Sequence, residues 1–264
     1  MTRGAGASSP SVVEIESVGD GAVRLVRFNR PEARNAFNFA LYDAVTDAIT
    51  EAAVSTNVHV VVLTGTGSAF SAGQDLKEMA QLVTGDATPE AATGFRGLLD
   101  AVQSFEKPLL AAVNGVGVGL GFTLLAHCDL VFMADDARLR VPFAELGVPP
   151  EAASSYLFPV TMGWQRAAYL LFTGTWMGAR EAVDAGIALA QYPGESLLDE
   201  TLAVAGAIAA APLEAVMASK RLLLATRRPQ IIEARDREDA AFVELLGSAA
   251  NLAALERFGT GTAG

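Results

Sequence analysis

The chain has 264 residues, 51% of them hydrophobic, so it can bury a sizeable core in one large domain with or without a short appendage. Its formal net charge of −11 argues against a nucleic-acid-binding protein, because such proteins present a basic surface to phosphates. The single cysteine, Cys128, excludes an internal disulfide and fits a reducing compartment.

The sequence shows no signal for export or for membrane insertion. Residues 1–10 are small and polar, which predicts a disordered tail without a signal peptide. The two longest apolar stretches, residues 108–126 and 202–213, are interrupted by glycine and asparagine or by proline, and neither predicts a membrane span. We therefore predict a cytoplasmic protein that binds neither membranes nor nucleic acids.

Strand-like and helix-like patterns alternate along the first two thirds of the chain. The predicted strands are residues 12–18 and 22–29, which form an opening hairpin, and residues 59–63, 109–113, 130–133 and 138–141. The predicted helices are residues 38–53, 75–104 with a break near 85–89, 122–127, a segment beginning near 151, and 164–172. From residue 197 onward the pattern is helical almost throughout. This order predicts an α/β fold with mostly parallel strands, followed by a helical region.

Two glycine-containing turns follow predicted buried strands. Residues 70–75 (FSAGQD) come after the strand at 59–63, and residues 114–121 (NGVGVGLG) come directly after the strand at 109–113. Ligands of α/β proteins bind at the carboxyl ends of strands, and the first N–H groups of a helix favour negative charge. The two turns could therefore direct two backbone N–H groups at one oxygen, which would form an oxyanion hole.

The glycines at residues 114–121 also allow other interpretations. A dinucleotide-binding fingerprint belongs at the first βα turn of a domain, whereas this turn lies far along the chain. A P-loop would end in Gly-Lys-Ser/Thr, and this segment does not. Glycines that only allow close helix packing are, from these residues alone, an equal alternative.

Three segments in order resemble the crotonase (enoyl-CoA hydratase/isomerase) superfamily. They are residues 29–36 (NRPEARNA), residues 61–75 (VVLTGTGSAFSAGQD) and residues 110–129, which end in Cys-Asp. The resemblance extends over roughly residues 12–250. It implies the crotonase spiral of ββα turns over residues 11–195 and a C-terminal helical region over residues 196–264 that mediates homotrimers or dimers of trimers.

The resemblance also implies an acyl-CoA thioester substrate and an enolate held by two backbone N–H groups, which by position belong to Ala72 and Leu120. Contacts with the substrate are implied for residues on the same segments, namely Ala33, Arg34, Ala36, Ser71, Gly73, Gln74, Asp75, Leu76, Lys77 and Gly119. For Asp75 a helix cap is the alternative interpretation. Coenzyme A is part of the substrate, so we expect no separate cofactor, and we expect no metal.

Two positions depart from the hydratases of this superfamily. Hydratases use two glutamates to activate water, and the corresponding positions hold Thr123 and Phe143. Residues 141–156 (VPFAELGVPPEAASSY) instead resemble a loop of peroxisomal-type Δ3,Δ2-enoyl-CoA isomerases, in which the Glu after Pro is the catalytic base. That residue is Glu151. An acid that only complements a helix dipole is its alternative interpretation.

With Glu151 as the single acid and base, the resemblance implies that the enzyme shifts a 3-enoyl-CoA double bond to the trans-2 position. We interpret the rival acid, Glu145, as structural, and we interpret both histidines, His59 and His127, in the same way. The expected pocket around Glu151 is apolar and would raise its pKa; its candidate residues are Phe143, Val148, Tyr156, Leu157 and Phe158. Dienoyl-CoA isomerisation, weak hydration and non-catalytic acyl-CoA binding remain alternatives.

Overall fold

The computed structural model describes residues 11–84 and 94–259, so the predicted tail and the predicted helix break near 85–89 lie outside the described residues. The strands are β1 (Val13–Val18), β2 (Val23–Phe28), β3 (Val60–Gly65), β4 (Ala69–Ser71), β5 (Leu109–Val113), β6 (Val116–Val118), β7 (Leu130–Ala134), β8 (Arg138–Arg140), β9 (Met177–Gly178) and β10 (Ala190–Tyr192). The helices are α1 (Phe39–Val54), α2 (Leu76–Thr84), α3 (Gly94–Ser104), α4 (Leu120–Thr123), α5 (Ser154–Met162), α6 (Trp164–Thr173), α7 (Ala179–Asp184), α8 (Leu197–Ala209), α9 (Leu213–Ala225), α10 (Arg228–Leu245) and α11 (Ala249–Gly259).

The larger sheet has six strands in the order β1-β2-β3-β5-β7-β10. The hairpin pair β1 and β2 is antiparallel, and every other pair in this sheet is parallel. All residues of β3 and β5 are buried, as their continuous apolar runs predict for strands covered on both faces. The predicted α/β fold with mostly parallel pairing is thus confirmed.

A second, four-stranded sheet has the order β4-β6-β8-β9. The sequence patterns do not predict β4, β6 or β9, because each has two or three residues, too few to show a periodicity. Strands β4 and β6 pair in parallel, with Ala69 opposite Val116 and Ser71 opposite Gly117. This pairing brings the two glycine-containing turns of the sequence side by side.

The C-terminal helices pack against the earlier part of the chain. Leu197 and Ala205 of α8 belong to the same hydrophobic core as the large sheet. Helix α10 contacts α5, and α11 contacts α2, so both cover the region that follows the two turns. Lys220 of α9 is buried and ion-paired with Asp129 at 2.7 Å, unlike the exposed residues next to it.

Within the described ranges, no helix by itself has the length and apolar composition to cross a membrane. Helices α8 and α9 meet that test only as a pair, by length and composition, and they are bent by 105° at their junction.

Candidate active site

The turns that follow β4 and β6 approach each other closely at their glycines. A Cβ on Gly73 would lie 2.5 Å from the carbonyl oxygen of Val118 and 3.4 Å from the amide nitrogen of Leu120. A Cβ on Gly121 would lie 2.3 Å from the carbonyl oxygen of Ser71. Only residues without a side chain allow this approach, and Gly73 also has a φ of +84°. The glycines therefore serve to bring two backbones together.

The backbone N–H of Ala72 is not available to a ligand, because it donates to the carbonyl oxygen of Arg34 at 2.9 Å. The prediction of Ala72 as an oxyanion donor is therefore wrong. The next candidate in the same turn is Gln74, whose backbone N–H has no acceptor among the described residues. The same holds for Leu120, the first residue of α4, where a helix has no internal acceptor for the N–H group.

The side chain of Gln74 is fixed by Tyr42 of α1, whose hydroxyl donates to Gln74 Oε1. Tyr42 is only 1% exposed. Burial, and then the nearby carboxylates Glu151 and Glu78, raise the pKa of Tyr42, so it is a neutral donor. This hydrogen bond gives the turn a rigid support behind the free amide.

A cavity of about 520 Å³ lies beside Gln74. Apolar residues and a few charged ones line it: Gln74, Met79, Phe95, Arg96, Pro150, Glu151, Glu238, Asp239, Phe242, Val243 and Leu246. Helices α2, α3 and α10 provide most of this wall. Such a mixture, mainly apolar with a few polar groups, is typical of a site for a small organic ligand.

The expected pocket residues around Glu151 do not form this wall. Phe143, Val148, Leu157 and Phe158 are at most 7% exposed and pack inside the protein, and Phe158 stacks on Phe122. Tyr156 packs beside a small separate cluster of buried residues. Since their side chains belong to the core, the lining comes from helices that are distant in the sequence.

Glu151 reaches the cavity from the loop before α5. Its Oε1 atom lies 3.5 Å from the hydroxyl of Thr123, at the other end of the short helix α4 from Leu120. Three residues of helix correspond to about 4.5 Å along its axis, so Thr123 lies about one helical turn from Leu120. Burial, and then the neighbouring Glu238, raise the pKa of Glu151 to about 8, while the contact with Thr123 lowers it.

The helix predicted to begin near Glu151 begins later, at Ser154. Ala152 and Ala153 have φ values of 57° and 60°, which are left-handed and incompatible with an α-helix. The loop therefore delivers Glu151 before the helix starts. The rival acid, Glu145, accepts a hydrogen bond from Arg140 and forms an ion pair with it, in agreement with a structural role.

A family model described as enoyl-CoA hydratase/isomerase matches residues 19–258. The chain belongs to the enoyl-CoA hydratase/isomerase family.

Individual relatives of this family carry both reaction names. Enoyl-CoA delta isomerase 2 of Rattus norvegicus is 33% identical over 83% of this chain and 56% of that protein. The 2,3-dehydroadipyl-CoA hydratase of Escherichia coli (strain K12) is 34% identical over 76% of this chain and 78% of that protein. This chain thus spans little more than half the length of the isomerase, and the two reactions are represented at similar identity.

The structural comparison confirms the predicted crotonase fold. The crystal structure of an enoyl-CoA hydratase/isomerase from Pseudoalteromonas atlantica T6c matches with a TM-score of 0.86 and 32% identity. The match covers 95% of this chain and 97% of that one. It includes the C-terminal helices that close the cavity.

The two segments predicted to bind the coenzyme A part of a substrate lie together in this family member. Residues 33–36 are joined to residues 71–77 by the hydrogen bond from the Ala72 N–H to the Arg34 carbonyl, and the adjoining Phe37 N–H donates to the Gly73 carbonyl at 2.7 Å. Ala33 is half-buried, Ala36 is 8% exposed, and Arg34 and Lys77 are exposed on the surface of these segments. Leu76, the first residue of α2, is half-buried beside them, and Gly119 precedes α4 in the other turn.

Two of the predicted contacts have structural partners instead. Ser71 is completely buried, and its hydroxyl donates to the carbonyl oxygen of Asn35 at 2.8 Å and accepts from the Gly73 N–H at 3.1 Å. The prediction of Ser71 as a substrate contact is wrong, because no ligand can reach it. Asp75 accepts from the backbone N–H of Lys77 at 3.1 Å and pairs with Arg30 at 3.2 Å, which supports its interpretation as a helix cap.

Sequence patterns gave no indication of Phe95, Glu238 and Phe242 as cavity residues. Glu238 bonds to Ala153, 85 residues earlier in the chain, and local periodicity contains no information on such contacts. Among the described residues, no group of three or more His, Cys, Asp or Glu side chains could hold a metal ion.

Proposed function

We propose that this protein is an enoyl-CoA isomerase that converts a 3-enoyl-CoA to the trans-2-enoyl-CoA, with Glu151 as the single acid and base. The observation that carries this proposal is which of the carboxylates lining the cavity already have hydrogen-bond or ion-pair partners. Glu238 accepts two backbone N–H groups, and Asp239 pairs with Arg96 at 2.7 Å. Among the described residues, Glu151 has only the long contact with Thr123, so we take its carboxylate as the one available for proton transfer.

The hydratase positions support isomerisation rather than hydration. Thr123 is completely buried and Phe143 is 5% exposed, and neither can accept a proton from water at neutral pH. Hydration in this family needs an acid and a base, whereas a double-bond shift needs one group that removes a proton and returns it. Glu151 alone is sufficient for the second reaction.

In the proposed reaction, the ionised Glu151 removes a proton from C2 of the 3-enoyl thioester. The electron pair of that C–H bond forms the C1–C2 double bond of the dienolate, the carbonyl π electrons move onto the thioester oxygen as negative charge, and the C3–C4 double bond remains. In this proposal the backbone N–H groups of Gln74 and Leu120 stabilise that oxygen. Protonated Glu151 then gives its proton to C4, and the thioester carbonyl re-forms with the double bond at C2–C3.

The raised pKa of Glu151 suits both halves of this cycle. A carboxylate with a pKa near 8 is a stronger base than an ordinary one, and its acid form is still able to donate to carbon. Because the base must be ionised in the free enzyme, we expect kcat/KM to rise with pH up to about 8. Only a proton moves and the oxidation state of the substrate is unchanged, so the reaction requires no separate cofactor.

The cavity wall and the surrounding surface suggest how the substrate is placed. Met79, Phe95, Phe242 and Leu246 offer apolar contacts for the enoyl chain next to Glu151. The exposed cations Arg34 and Lys77 lie on the segments proposed to bind coenzyme A, where they would offset the acidic net charge of the chain.

We also propose that the protein is a homo-oligomer, with the trimer of the family resemblance as the expected state. Helix α6 and the segment after it expose four large aromatic side chains: Trp164 (74%), Tyr169 (60%), Phe172 (74%) and Trp176 (40%). Exposed apolar surface of this kind is typical of an interface between protein chains. Sedimentation equilibrium of the purified protein tests this proposal, and a monomer at micromolar concentration would contradict it. Its cytoplasmic location stays a prediction.

Product analysis with two substrates tests the proposed reaction. The protein is incubated separately with a 3-enoyl-CoA and with a trans-2-enoyl-CoA, and the products are identified by mass spectrometry and ultraviolet absorbance. We expect conversion of the first substrate and little addition of water to the second. Rapid hydration without isomerisation would assign the chain to the hydratases, and binding without turnover would indicate a non-catalytic relative.

A further inference from the structure

One peptide group beside Glu151 is held at both of its ends by side chains from distant elements. His127 Nε2 lies 2.7 Å from the carbonyl oxygen of Ala152. The N–H of the same peptide group, which belongs to Ala153, donates to Glu238 Oε2 at 2.7 Å. The other carboxylate oxygen of Glu238 accepts from the N–H of Ser155 at 2.8 Å. The orientation of this peptide plane is thereby fixed from two sides.

This support acts where the backbone conformation is unfavourable. Ala152 and Ala153 both have positive φ values, 57° and 60°, and residues with a Cβ rarely adopt this conformation. Two such residues in succession persist only where surrounding contacts determine them. Glu151 directly precedes the pair, so the direction in which its side chain leaves the backbone depends on the same contacts.

His127 also connects the loop that holds Glu151 with the turn that holds the Leu120 amide. The residues from Leu120 to His127 form one short helical segment, α4 and the 3-10 turn that follows it. Its first residue offers the free amide, Thr123 lies beside the Glu151 carboxylate, and His127 contacts the next residue of the loop. One segment therefore sets both the position of the charge to be stabilised and the position of the base.

We propose that His127 and Glu238 are positioning residues that hold the 152–153 peptide group and thereby aim the Glu151 carboxylate into the cavity. This inference rests on the proposed role of Glu151. His127 acts as a neutral Nε2–H donor, and Glu238 acts as an ionised acceptor of two N–H groups. Neither side chain needs to touch the substrate.

The protonation states agree with these roles. Burial, and then the charges of Arg235 and Arg227, lower the pKa of His127 to about 4, against a partial rise from its bond to Ala152. The imidazole is therefore neutral at physiological pH and can donate through Nε2. Burial raises the pKa of Glu238, and its hydrogen bonds from Ser155 and Ala153 oppose that rise; since both of its oxygens accept backbone N–H groups, the ionised form is the one that fits the site.

The charge of Glu238 also acts on Glu151, because it is one of the two causes that raise the pKa of Glu151. The other titratable or charged groups that the described residues place around this loop and its cavity are Tyr42 of α1, Glu78 of α2, Arg96 of α3, His127 after α4, Arg227 before α10, and Arg235 and Asp239 of α10. Removal of the Glu238 charge should therefore lower the pKa of Glu151 and move the acidic limb of its pH profile to lower pH.

The test compares Glu238→Gln with the native enzyme and with Glu233→Gln, a matched control on the exposed side of the same helix. Isomerisation of a 3-enoyl-CoA is followed over the pH range of activity. A misplaced base costs on the order of 10²-fold, so we expect kcat of the Glu238 variant to fall by about that factor with little change in KM. Its acidic limb should move to lower pH, and the control should behave as the native enzyme does.

A second pair of variants tests the other contact and does not require the Glu238 variant to fold. His127→Gln keeps a side-chain N–H donor, whereas His127→Leu removes it. We expect His127→Gln to retain much more activity than His127→Leu, with kcat rather than KM affected. Equal activity of the two variants would overturn the role of His127.

The outcomes separate this inference from the proposed function. If Glu151→Gln is inactive while Glu238→Gln has native kcat and an unshifted pH profile, the positioning role is refuted and the isomerase proposal stands. If Glu151→Gln is fully active, the proposed function itself is wrong.

Discussion

Two walls of the cavity are built by different means. On one side lies backbone: Gln74 of the turn after β4 lines the cavity, and the turn after β6, which holds Leu120, packs against it. The opposite wall is made of side chains, with Glu151 from the loop before α5 and Glu238 from α10. The first wall depends on glycines that allow close approach, and the second depends on particular carboxylates.

This difference explains how related chains can share a fold and differ in reaction. Backbone amides do not change when side chains do, so the turns proposed to form the oxyanion hole are compatible with Leu at position 120 and Gln at position 74. Side chains can differ between relatives, and in this chain the positions of the hydratase glutamates hold Thr123 and Phe143 while a carboxylate stands at Glu151. We infer that the backbone wall provides the chemistry that related enzymes share, and that the side-chain wall determines which reaction each of them catalyses.

The largest expected effect comes from separating the two turns. In Gly73→Ala the new Cβ would meet the Val118 carbonyl at 2.5 Å, and the φ of +84° would be strained, so one turn must move. Loss of one oxyanion donor typically costs about 10²–10³-fold in kcat, and we expect a loss in that range. Steady-state kinetics measure it, and circular dichroism shows whether the variant is folded.

Gly206→Ala is the control for this substitution. The same methyl group in α8 would meet no atom within 4 Å, so activity should be unchanged. A fully active Gly73→Ala enzyme would show that the turns need not touch for catalysis, and the backbone wall would lose its proposed role.

Removal of the base should have the next largest effect. Glu151→Gln keeps the size and polarity of the side chain but cannot accept a proton, so kcat should fall by at least about 10²-fold. The fall should appear in kcat more than in KM if proton transfer limits turnover. Glu145→Gln removes a carboxylate that is bound to Arg140 and should keep most of the activity. A reversed result, with only the Glu145 variant inactive, would show that the base lies at position 145.

The same Glu151 variant should alter how stability depends on pH. The native pKa is about 8 against an ordinary value of 4.5, so between these values the unfolded chain releases a proton that the native protein keeps. The free energy of unfolding of the native enzyme therefore falls as pH rises through this window, and Glu151→Gln lacks this loss.

The full shift corresponds to about 5 kcal/mol, and solvent at the cavity mouth screens part of it. We expect Glu151→Gln to gain on the order of 2 kcal/mol relative to the native protein between about pH 5 and pH 8.5, as measured by urea denaturation. If the difference in free energy of unfolding between the two proteins does not change with pH across that range, Glu151 is not desolvated.

The smallest effect is expected where only a side chain of the backbone wall changes. Gln74→Ala removes the hydrogen bond with Tyr42 but leaves the amide N–H of residue 74 in place. We expect kcat to fall by less than about tenfold, because the loss is one supporting hydrogen bond rather than a donor to the substrate. Kinetics of Tyr42→Phe, which removes the same bond from the other side, should match it. A loss as large as that of Gly73→Ala would indicate that the Gln74 side chain itself binds substrate.

The sequence by itself determined the elements with enough residues to show a period or a continuous apolar run. These include β3, β5 and the helices of the last third, and it also located the two glycine-containing turns and Glu151. Such features are local, because a strand buried on both faces or a helix buried on one face produces a recognisable pattern of apolar residues along the chain. The strands β4 and β6 were not predicted, since three residues are too few for a pattern and their pairing depends on the rest of the fold.

Only the tertiary structure decided which groups of the site are available. Ala72 and Gln74 lie two residues apart in one turn, and the carbonyl of Arg34 occupies the first amide and leaves the second free. Ser71 was predicted to contact the substrate, but its hydroxyl is hydrogen-bonded to the backbone of Asn35 and Gly73. Glu238 reaches the Glu151 loop from 85 residues away. Hydrogen-bond partners of this kind are set by the packing of distant segments, and no local pattern in the chain records them.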